Sequence, residues 1–248
     1  MTGTSPPAVA EASARADQDP LLVTAAPETL REATFTGVRW GVFSRLVIEV
    51  LSFASSVVLA RLVSPVGFGH AAIAMGVVAV ASALTIEGFG TPLVQRKDIT
   101  RAHVESALLL SLAGGVGLTV LFYLGTPAFA GSLGSENVSL VQLASPTFIA
   151  VSVAAIPRAL LQRRLAFRVL YQVQMAALAA GVVVSISLAA LGFGAYALVG
   201  GQLANPVVAA LLYVPAAPRV RPAWRRRAWS EIAGFGSQTA LSSLLFSV

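Results

Sequence analysis

The sequence predicts an all-α protein of the polytopic membrane class, a bundle of membrane-spanning helices. The chain has 248 residues, of which 56% are hydrophobic and only 11% are charged, and its mean hydropathy is +0.79. A soluble domain of this size has about 25% charged residues. No Asp, Glu, Lys or Arg occurs between Val169 and Pro218. A bilayer accommodates such a stretch at roughly 20 apolar residues per helix, whereas a soluble fold would expose it to water.

Division of the chain at charges, prolines and glycines predicts six complete membrane spans. They cover residues 40–62, 70–89, 104–125, 139–160, 169–191 and 195–215. A seventh apolar segment begins near Ile232 and reaches Val248 after 17 residues, which is the lower limit for a crossing. We therefore expect six helices and the start of a seventh.

The N-terminal residues differ in composition from the rest of the chain. Residues 1–34 are rich in Ala, Pro, Ser, Asp and Glu and have no apolar period. They also lack the basic start, apolar core and small-residue cleavage site of a signal peptide. We predict a disordered cytoplasmic tail over 1–34 and a transmembrane unit over 35–218. A basic cytoplasmic loop over 219–231 and a truncated helix over 232–248 are expected to follow.

The basic residues of the predicted loops set the expected orientation. The loops after spans one, three and five contain no Arg or Lys. Those after the even-numbered spans contain Arg96, Lys97, Arg101, then Arg158, Arg163, Arg164, Arg168, then Arg219, Arg221, Arg225, Arg226 and Arg227. Basic loops stay in the cytoplasm, so the N-terminus and the even-numbered loops are expected there. The net charge of +6 is explained by this topology, and we do not expect nucleic-acid binding.

Several residue types that carry enzyme chemistry are missing or scattered. The chain has no cysteine, so a disulfide or a thiolate metal site is excluded. His70 and His103 are predicted at opposite membrane faces and cannot share a metal ion. No glycine-rich phosphate loop precedes a predicted helix, and no nucleophile has a neighbouring base. We expect no enzymatic activity, no cofactor and no metal.

The first span carries a polar stripe on an otherwise apolar helix. At 100° per residue, one face holds Gly41, Arg45, Glu49, Ser52 and Ser56. At about 1.5 Å per residue, Glu49 lies roughly 14 Å into a hydrocarbon core about 30 Å thick. Two alternatives remain open. Either Arg45 snorkels and forms an intrahelical pair with Glu49, or the stripe lines a water-filled cavity.

Two later spans contain further polar candidates. Glu87 lies near the cytoplasmic end of span two, where it either touches the interface or pairs with Arg45 across helices. In span six, Gln202 and Asn205 precede Pro206, a residue that frees a backbone carbonyl within a helix. Asn205 is expected either to bond that carbonyl or to line a cavity.

Four motifs, each at the end of a loop, occur in an order that indicates a family. They are "SSVVLARLVSPVGFG" at 55–69, "LVQRKDIT" at 93–100, "IPRALLQRRLAF" at 156–167 and "GFGAYALV" at 192–199. Over about residues 35–248 the chain resembles the polysaccharide flippase (Wzx-like) branch of the multidrug/oligosaccharidyl-lipid/polysaccharide exporter superfamily. Arg61 and Pro65 match the family's Leu-Ala-Arg…Pro turn after the first helix. Val66 and Gly67 depart from it, since an acidic residue often follows that proline.

The resemblance implies two six-helix lobes around a central cavity that opens alternately to each membrane face. It implies transport of lipid-linked oligosaccharides on polyprenyl pyrophosphate across the bacterial cytoplasmic membrane. Arg45 would then contact the substrate, and Glu49 and Glu87 would hold Arg45 or couple transport to a proton or sodium ion. The candidate cavity residues are Arg45, Glu49, Ser52, Arg61, Glu87 and Asn205.

A two-lobe transporter needs about twice the number of predicted spans. The opening stretch "WGVFSRLVIEVLSF" at 40–53 can be laid against "FGSQTALSSLLFSV" at 235–248, a repeat that this class of transporter would have. We therefore expect the first lobe and the opening of the second lobe's first helix, with a missing C-terminal lobe as partner. The alternative is a six-helix half-transporter or channel that acts as a homodimer. A membrane enzyme would need clustered carboxylates or histidines at one membrane face, which the sequence lacks.

Overall fold

The computed structural model describes residues 27–89, 101–129, 131 and 134–218, and within them the chain forms helices and no strands. The helices are α1 (Pro27–Leu62), α2 (Pro65–Phe89), α3 (Arg101–Gly125), α4 (Ser135–Ala144), α5 (Thr147–Arg163), α6 (Phe167–Ala190) and α7 (Ala195–Ala216). A short 3₁₀ turn, Thr126–Phe129, follows α3. The all-α prediction is confirmed.

The helices are long and apolar enough for a multi-pass membrane protein. Five stretches in the described part of the chain meet the length and composition of a span: Arg39–Leu62, Val104–Ala128, Ser135–Arg163, Phe167–Ala190 and Ala195–Ala216. A shorter apolar helical stretch, Pro65–Ala79, overlaps the predicted second span. Each predicted complete span therefore coincides with a helix or a helix pair.

Some predicted segments fall partly or wholly outside the described residues. Helix α1 begins at Pro27, ahead of the domain boundary expected after residue 34, while residues 1–26 lie outside the description. The predicted basic loop and seventh helix, residues 219–248, lie outside it as well.

Three clusters of buried side chains hold the bundle together. The first joins α1, α2, α4, α5, α6 and α7 and contains Leu59, Ala74 and Phe148. The second joins α3 to α5 and includes Ile156, and the third joins α5, α6 and α7 around Tyr213. Helix α6 lies between α1 and α7 in this arrangement. Since α1 makes its main described contacts with α6 alone, one side of α1 is left open.

The α5–α6 junction marks one end of the bundle, which we call the basic end. It carries Arg158, Arg163, Arg164 and Arg168. The opposite end is formed where α2 and α4 begin and where α6 turns into α7. These two names describe the bundle itself and do not assign a membrane side.

The fourth predicted span lies within one apolar stretch, Ser135–Arg163, that is formed by two successive helices. Helix α4 ends at Ala144 and α5 begins at Thr147, with Ser145 and Pro146 in a turn between them. The physical reason is that Pro146 has no N–H to donate to the carbonyl four residues earlier. The Ser145 hydroxyl donates to that carbonyl of Gln142 instead, at 2.8 Å. The break is therefore compensated locally.

Candidate functional site

A cleft of about 250 Å³ opens between α2, the α4–α5 junction and α7. We call it the cleft. Its lining consists of Met75, Val78, Ala79, Ala144, Thr147, Val151, Val199, Gln202, Asn205 and Pro206.

The cleft lies about halfway along the helices that form it. At about 1.5 Å per residue, Asn205 is roughly 15 Å from the first residue of α7, close to the midpoint of that helix. Met75 and Ala79 lie equally close to the middle of α2. A cleft at this position would be near the centre of a bilayer whose hydrocarbon core is about 30 Å thick.

Two prolines border the cleft, one inside α7 and one in the turn between α4 and α5. Pro206 lies within α7 and lines the cleft directly. Because it has no N–H, the Gln202 carbonyl four residues earlier loses its helical partner. On the other side, the Ser145–Pro146 turn is flanked by Ala144 and Thr147, and both of these residues line the cleft. Irregular backbone at membrane depth is tolerated where it borders a cavity or is covered by protein.

The described lining is mainly apolar, with three polar side chains and no ionisable one. Its polar groups are the amides of Gln202 and Asn205 and the hydroxyl of Thr147, set among aliphatic side chains. Neither amide side chain has a hydrogen-bond partner among the described contacts. The arrangement offers neutral donors and acceptors at mid-depth, beside a backbone carbonyl without its helical bond. Of the predicted site residues whose side chains the structure describes, Asn205 alone lies in this lining.

The charged residues of the first span lie elsewhere, on the open side of α1. Arg45 Nε is 3.9 Å from Glu49 Oε1, and the two side chains are 83% and 67% exposed. Arg45 and Glu49 therefore form the i, i+4 pair that the sequence predicts. The rest of the protein covers little of either side chain. This geometry is compatible with both predicted alternatives, an intrahelical ion pair and a stripe that lines a water-filled cavity.

The remainder of the predicted stripe is divided between two surfaces. Gly41 faces α6, since a Cβ built on it would lie 3.0 Å from the Tyr171 hydroxyl. Ser52 is half-buried, and its carbonyl accepts a hydrogen bond from the Ser56 hydroxyl at 2.8 Å.

Two further predicted site residues lie outside the stripe. Arg61 is exposed in the last turn of α1, at the end of the bundle opposite to the basic end. The side chain of Glu87 lies outside the described residues, so its pairing with Arg45 remains a prediction.

The basic end of α1 is fixed to α6 by aromatic contacts. The guanidinium of Arg168 lies 5.6 Å from the centroid of the Trp40 ring, within the range of a cation–π contact. Ser44, one turn further along α1, is buried, and its hydroxyl donates to the Gly41 carbonyl at 3.0 Å. The start of the first span is thereby held against α6, while Arg45 projects from the uncovered side.

A polar pair that the sequence did not predict lies at the opposite end. His70 Nδ1, on α2, is 3.0 Å from Glu136 Oε2, on α4, although without the alignment of a hydrogen bond. The sequence did not indicate that α2 and α4 are neighbours. The sequence analysis also did not single out Thr147 as a lining residue of the cleft. The Ser145–Pro146 pair directly before it was the sequence signal for a special position.

The described residues contain no group of three or more His, Cys, Asp or Glu side chains arranged to hold a metal ion.

Comparison of the sequence with known families identifies the chain. Residues 58–248 match the profile of the family described as "Polysaccharide biosynthesis protein". The chain belongs to this family. The resemblance of the loop motifs to polysaccharide flippases is confirmed by this match and by the relatives that follow.

Curated relatives in the family come from several bacteria. The chain is 25% identical over 186 residues to the lipopolysaccharide biosynthesis protein WzxC of Escherichia coli (strain K12), covering 75% of this chain and 38% of the relative. It is 28% identical over 182 residues to the succinoglycan biosynthesis transport protein ExoT of Rhizobium meliloti (strain 1021), covering 73% and 37%. For the teichuronic acid biosynthesis protein TuaB of Bacillus subtilis (strain 168), the identity is 25% over 148 residues, covering 59% and 31%.

The chain thus spans about two fifths or less of the length of these relatives. No solved structure matches it significantly.

Proposed function

We propose that this chain forms one helical lobe of a transporter that moves a lipid-linked oligosaccharide across the membrane. Membership of the polysaccharide biosynthesis protein family supports a role in the supply or export of sugar polymers. The names of the relatives refer to lipopolysaccharide, teichuronic acid and succinoglycan, and one of them is called a transport protein. Flipping of a polyprenyl-pyrophosphate glycan is our specific proposal for this chain.

The observation that carries the proposal is the cleft at mid-depth, beside the turn between α4 and α5 and the proline within α7. Transporters typically bind their substrates near the bilayer midplane, where discontinuous helices present polar backbone and side-chain groups. A purely structural bundle gains nothing from the Gln202 and Asn205 amides at that depth, because uncompensated polar groups in hydrocarbon are unfavourable. Pro206 within α7 and the Ser145–Pro146 turn border the cleft from two sides, which supports the proposal.

Arg45 is proposed to contact the pyrophosphate of the substrate. A charged pair at the middle of a span is costly against lipid, so this face of α1 must meet water or protein. A water-filled pathway between this lobe and a second lobe meets that requirement, and a guanidinium suits phosphate oxygens through paired hydrogen bonds. Glu49 and Glu87 would hold Arg45 or couple transport to a proton or sodium ion. Ser52 and Arg61 would line the same pathway.

The proposed setting is the bacterial cytoplasmic membrane, with the N-terminus in the cytoplasm. The reason is the concentration of arginine at the basic end and its absence from the loops of the opposite end, since basic loops are retained in the cytoplasm. In this orientation the pyrophosphate would enter from the basic end and leave at the end that carries His70 and Glu136.

A reconstitution experiment tests the proposal. The complete natural reading frame that contains this chain is inserted into vesicles with a fluorescent polyprenyl-pyrophosphate disaccharide, and the fraction of label reached by an impermeant quencher is followed. We expect transport by the complete frame, and none by residues 1–248 alone, because one lobe provides only one wall of a pathway. Vesicles with a heat-inactivated preparation serve as the control for leakage.

The outcomes separate the competing functions. No transport by the complete frame would reject the proposal. Transport by residues 1–248 alone, with a steep dependence on protein density, would instead favour the half-transporter that acts as a homodimer.

A further inference from the structure

We infer that the cleft is a subsite for one neutral sugar ring of the substrate, separate from the position of its phosphates. The inference rests on the proposed function and goes further, because it assigns a chemical class to the cleft. Its basis is the juxtaposition of Gln202, Asn205 and Thr147 with aliphatic side chains in a partly enclosed space, where none of the described lining residues is ionisable.

The functional groups of the cleft match those of a sugar. Each hydroxyl of a sugar both donates and accepts a hydrogen bond, and a primary amide offers two donors and an acceptor with two lone pairs. Gln202 and Asn205 supply such amides, and Thr147 supplies a hydroxyl. The Gln202 carbonyl that Pro206 leaves without a helical partner is one further acceptor. Aliphatic side chains such as Val151 offer apolar surface for the C–H face of the ring.

The size of the cleft fits one ring and not a chain of sugars. Its volume of about 250 Å³ is slightly below the range of roughly 300–1,000 Å³ that is typical of drug-sized ligands. One sugar unit would therefore be held here while the remainder of the glycan lies outside.

The same lining disfavours the charged portion of the substrate. A phosphate transferred to this depth without a cation loses its hydration and gains no ion pair, and such a transfer is strongly unfavourable. Arg45, the cation proposed to bind phosphate, is on the open side of α1, and no residue of α1 lines the cleft. A prenyl chain would leave both amides without partners, which is unfavourable as well.

Thiol protection provides a direct test, because the chain contains no native cysteine. Val151→Cys puts a reporter in the cleft, Ser52→Cys puts one beside the charged stripe, and Val183→Cys puts a control on the exposed side of α6. The complete frame with each substitution is placed in phosphatidylglycerol nanodiscs, and its rate of reaction with a small neutral thiol reagent is measured. The probes are farnesyl glucoside, farnesyl galactoside, farnesyl phosphate and farnesol, which share one prenyl chain and differ in the head group.

We expect one or both glycosides to slow the reaction of the Val151→Cys variant and leave that of the Val183→Cys variant unchanged. Asn205→Leu in the Val151→Cys background should raise the glycoside concentration needed for protection about tenfold, the effect of losing a buried hydrogen bond and leaving its partner unsatisfied. Gln174→Leu, a substitution of an exposed amide on α6, should leave that concentration unchanged. Asn205→Ser tests the same contact with a smaller polar group if the leucine variant does not fold.

The remaining outcomes overturn the inference in distinguishable ways. Equal protection of the Val151→Cys variant by farnesol would assign the cleft to the lipid chain, and protection by farnesyl phosphate would assign it to the anion. If the probes protect the Ser52→Cys variant but no glycoside protects the Val151→Cys variant, the proposed function stands and the sugar subsite does not. If no probe protects either variant, both the proposed function and the sugar subsite are rejected.

Discussion

Gly181 of α6 and Gly201 of α7 are in direct backbone contact. A Cβ built on Gly181 would lie 2.8 Å from the Gly201 carbonyl oxygen, and one built on Gly201 would lie 2.6 Å from that of Gly181. Ordinary side chains cannot approach backbone so closely. The two glycines therefore allow α7 to pack tightly on α6, as small residues commonly do between membrane helices. This contact fixes the helix that carries Gln202 and Asn205, only one and four residues further along the chain.

Gly201→Val is expected to separate α6 from α7 and to destabilise the protein. The added methyl groups would overlap the Gly181 carbonyl and the Ser185 side chain, and overpacking of this kind typically costs about 1–3 kcal/mol. The midpoint of thermal unfolding in detergent measures the effect. Gly117→Val is the matched control, because nothing lies within 4 Å of a Cβ at Gly117. Equal midpoints for the two variants would contradict the packing argument.

The Ser145 hydroxyl is expected to stabilise the fold only as long as Pro146 is present. Ser145 Oγ donates to the Gln142 carbonyl, which Pro146 deprives of its helical partner. Ser145→Ala should therefore cost about 1 kcal/mol in the natural sequence. In a Pro146→Ala background, where an N–H is restored, the same change should cost much less. Unfolding midpoints of the two single variants and the double variant give the coupling, and strictly additive effects would contradict this assignment.

The sequence predicted the positions of the helices well, because apolar length and charge spacing are properties of each segment alone. It could not predict the relation between segments. A helical wheel puts Arg45 and Glu49 on one face, but only the packing of α1 on α6 determines that this face is open. His70 and Glu136 meet because α2 lies beside α4. No local sequence pattern indicates which helices pack against each other. The Ser145–Pro146 break was missed for another reason: proline is tolerated within membrane helices, so its presence alone does not predict an interruption.

The proposed orientation predicts which loops an external reagent can reach. A cysteine introduced by Ser135→Cys, at the start of α4, should react with an impermeant thiol reagent added to intact cells. One introduced by Thr100→Cys should react only after the membrane is opened. The reason is that basic loops remain in the cytoplasm, and Thr100 lies between Lys97 and Arg101 in such a loop. The reverse pattern of labelling would invert the topology and, with it, the proposed direction of substrate entry.

Substitutions of Arg45 and Glu49 distinguish a substrate site from a structural ion pair. The 3.9 Å separation and the high exposure of both side chains are typical of a weak mutual interaction. The pair alone therefore gives little reason to keep two charges at mid-depth. If Arg45 binds a phosphate, Arg45→Ala in the complete frame should abolish export at near-normal protein levels. Arg45→Lys should retain part of it, because the charge survives and the planar fork does not.

The double variant Arg45→Leu with Glu49→Leu decides between the two roles. A buried ion pair can often be replaced by apolar residues of similar volume with little loss of stability, whereas one charge without its partner cannot. If the two residues only neutralise each other, each single leucine variant should lower protein levels and the double variant should restore both levels and export. If Arg45 contacts the substrate, the double variant should reach normal levels and remain inactive. Complementation of glycan export, read beside immunoblots of the membrane fraction, separates these results, and an active double-leucine variant would remove Arg45 from the proposed pathway.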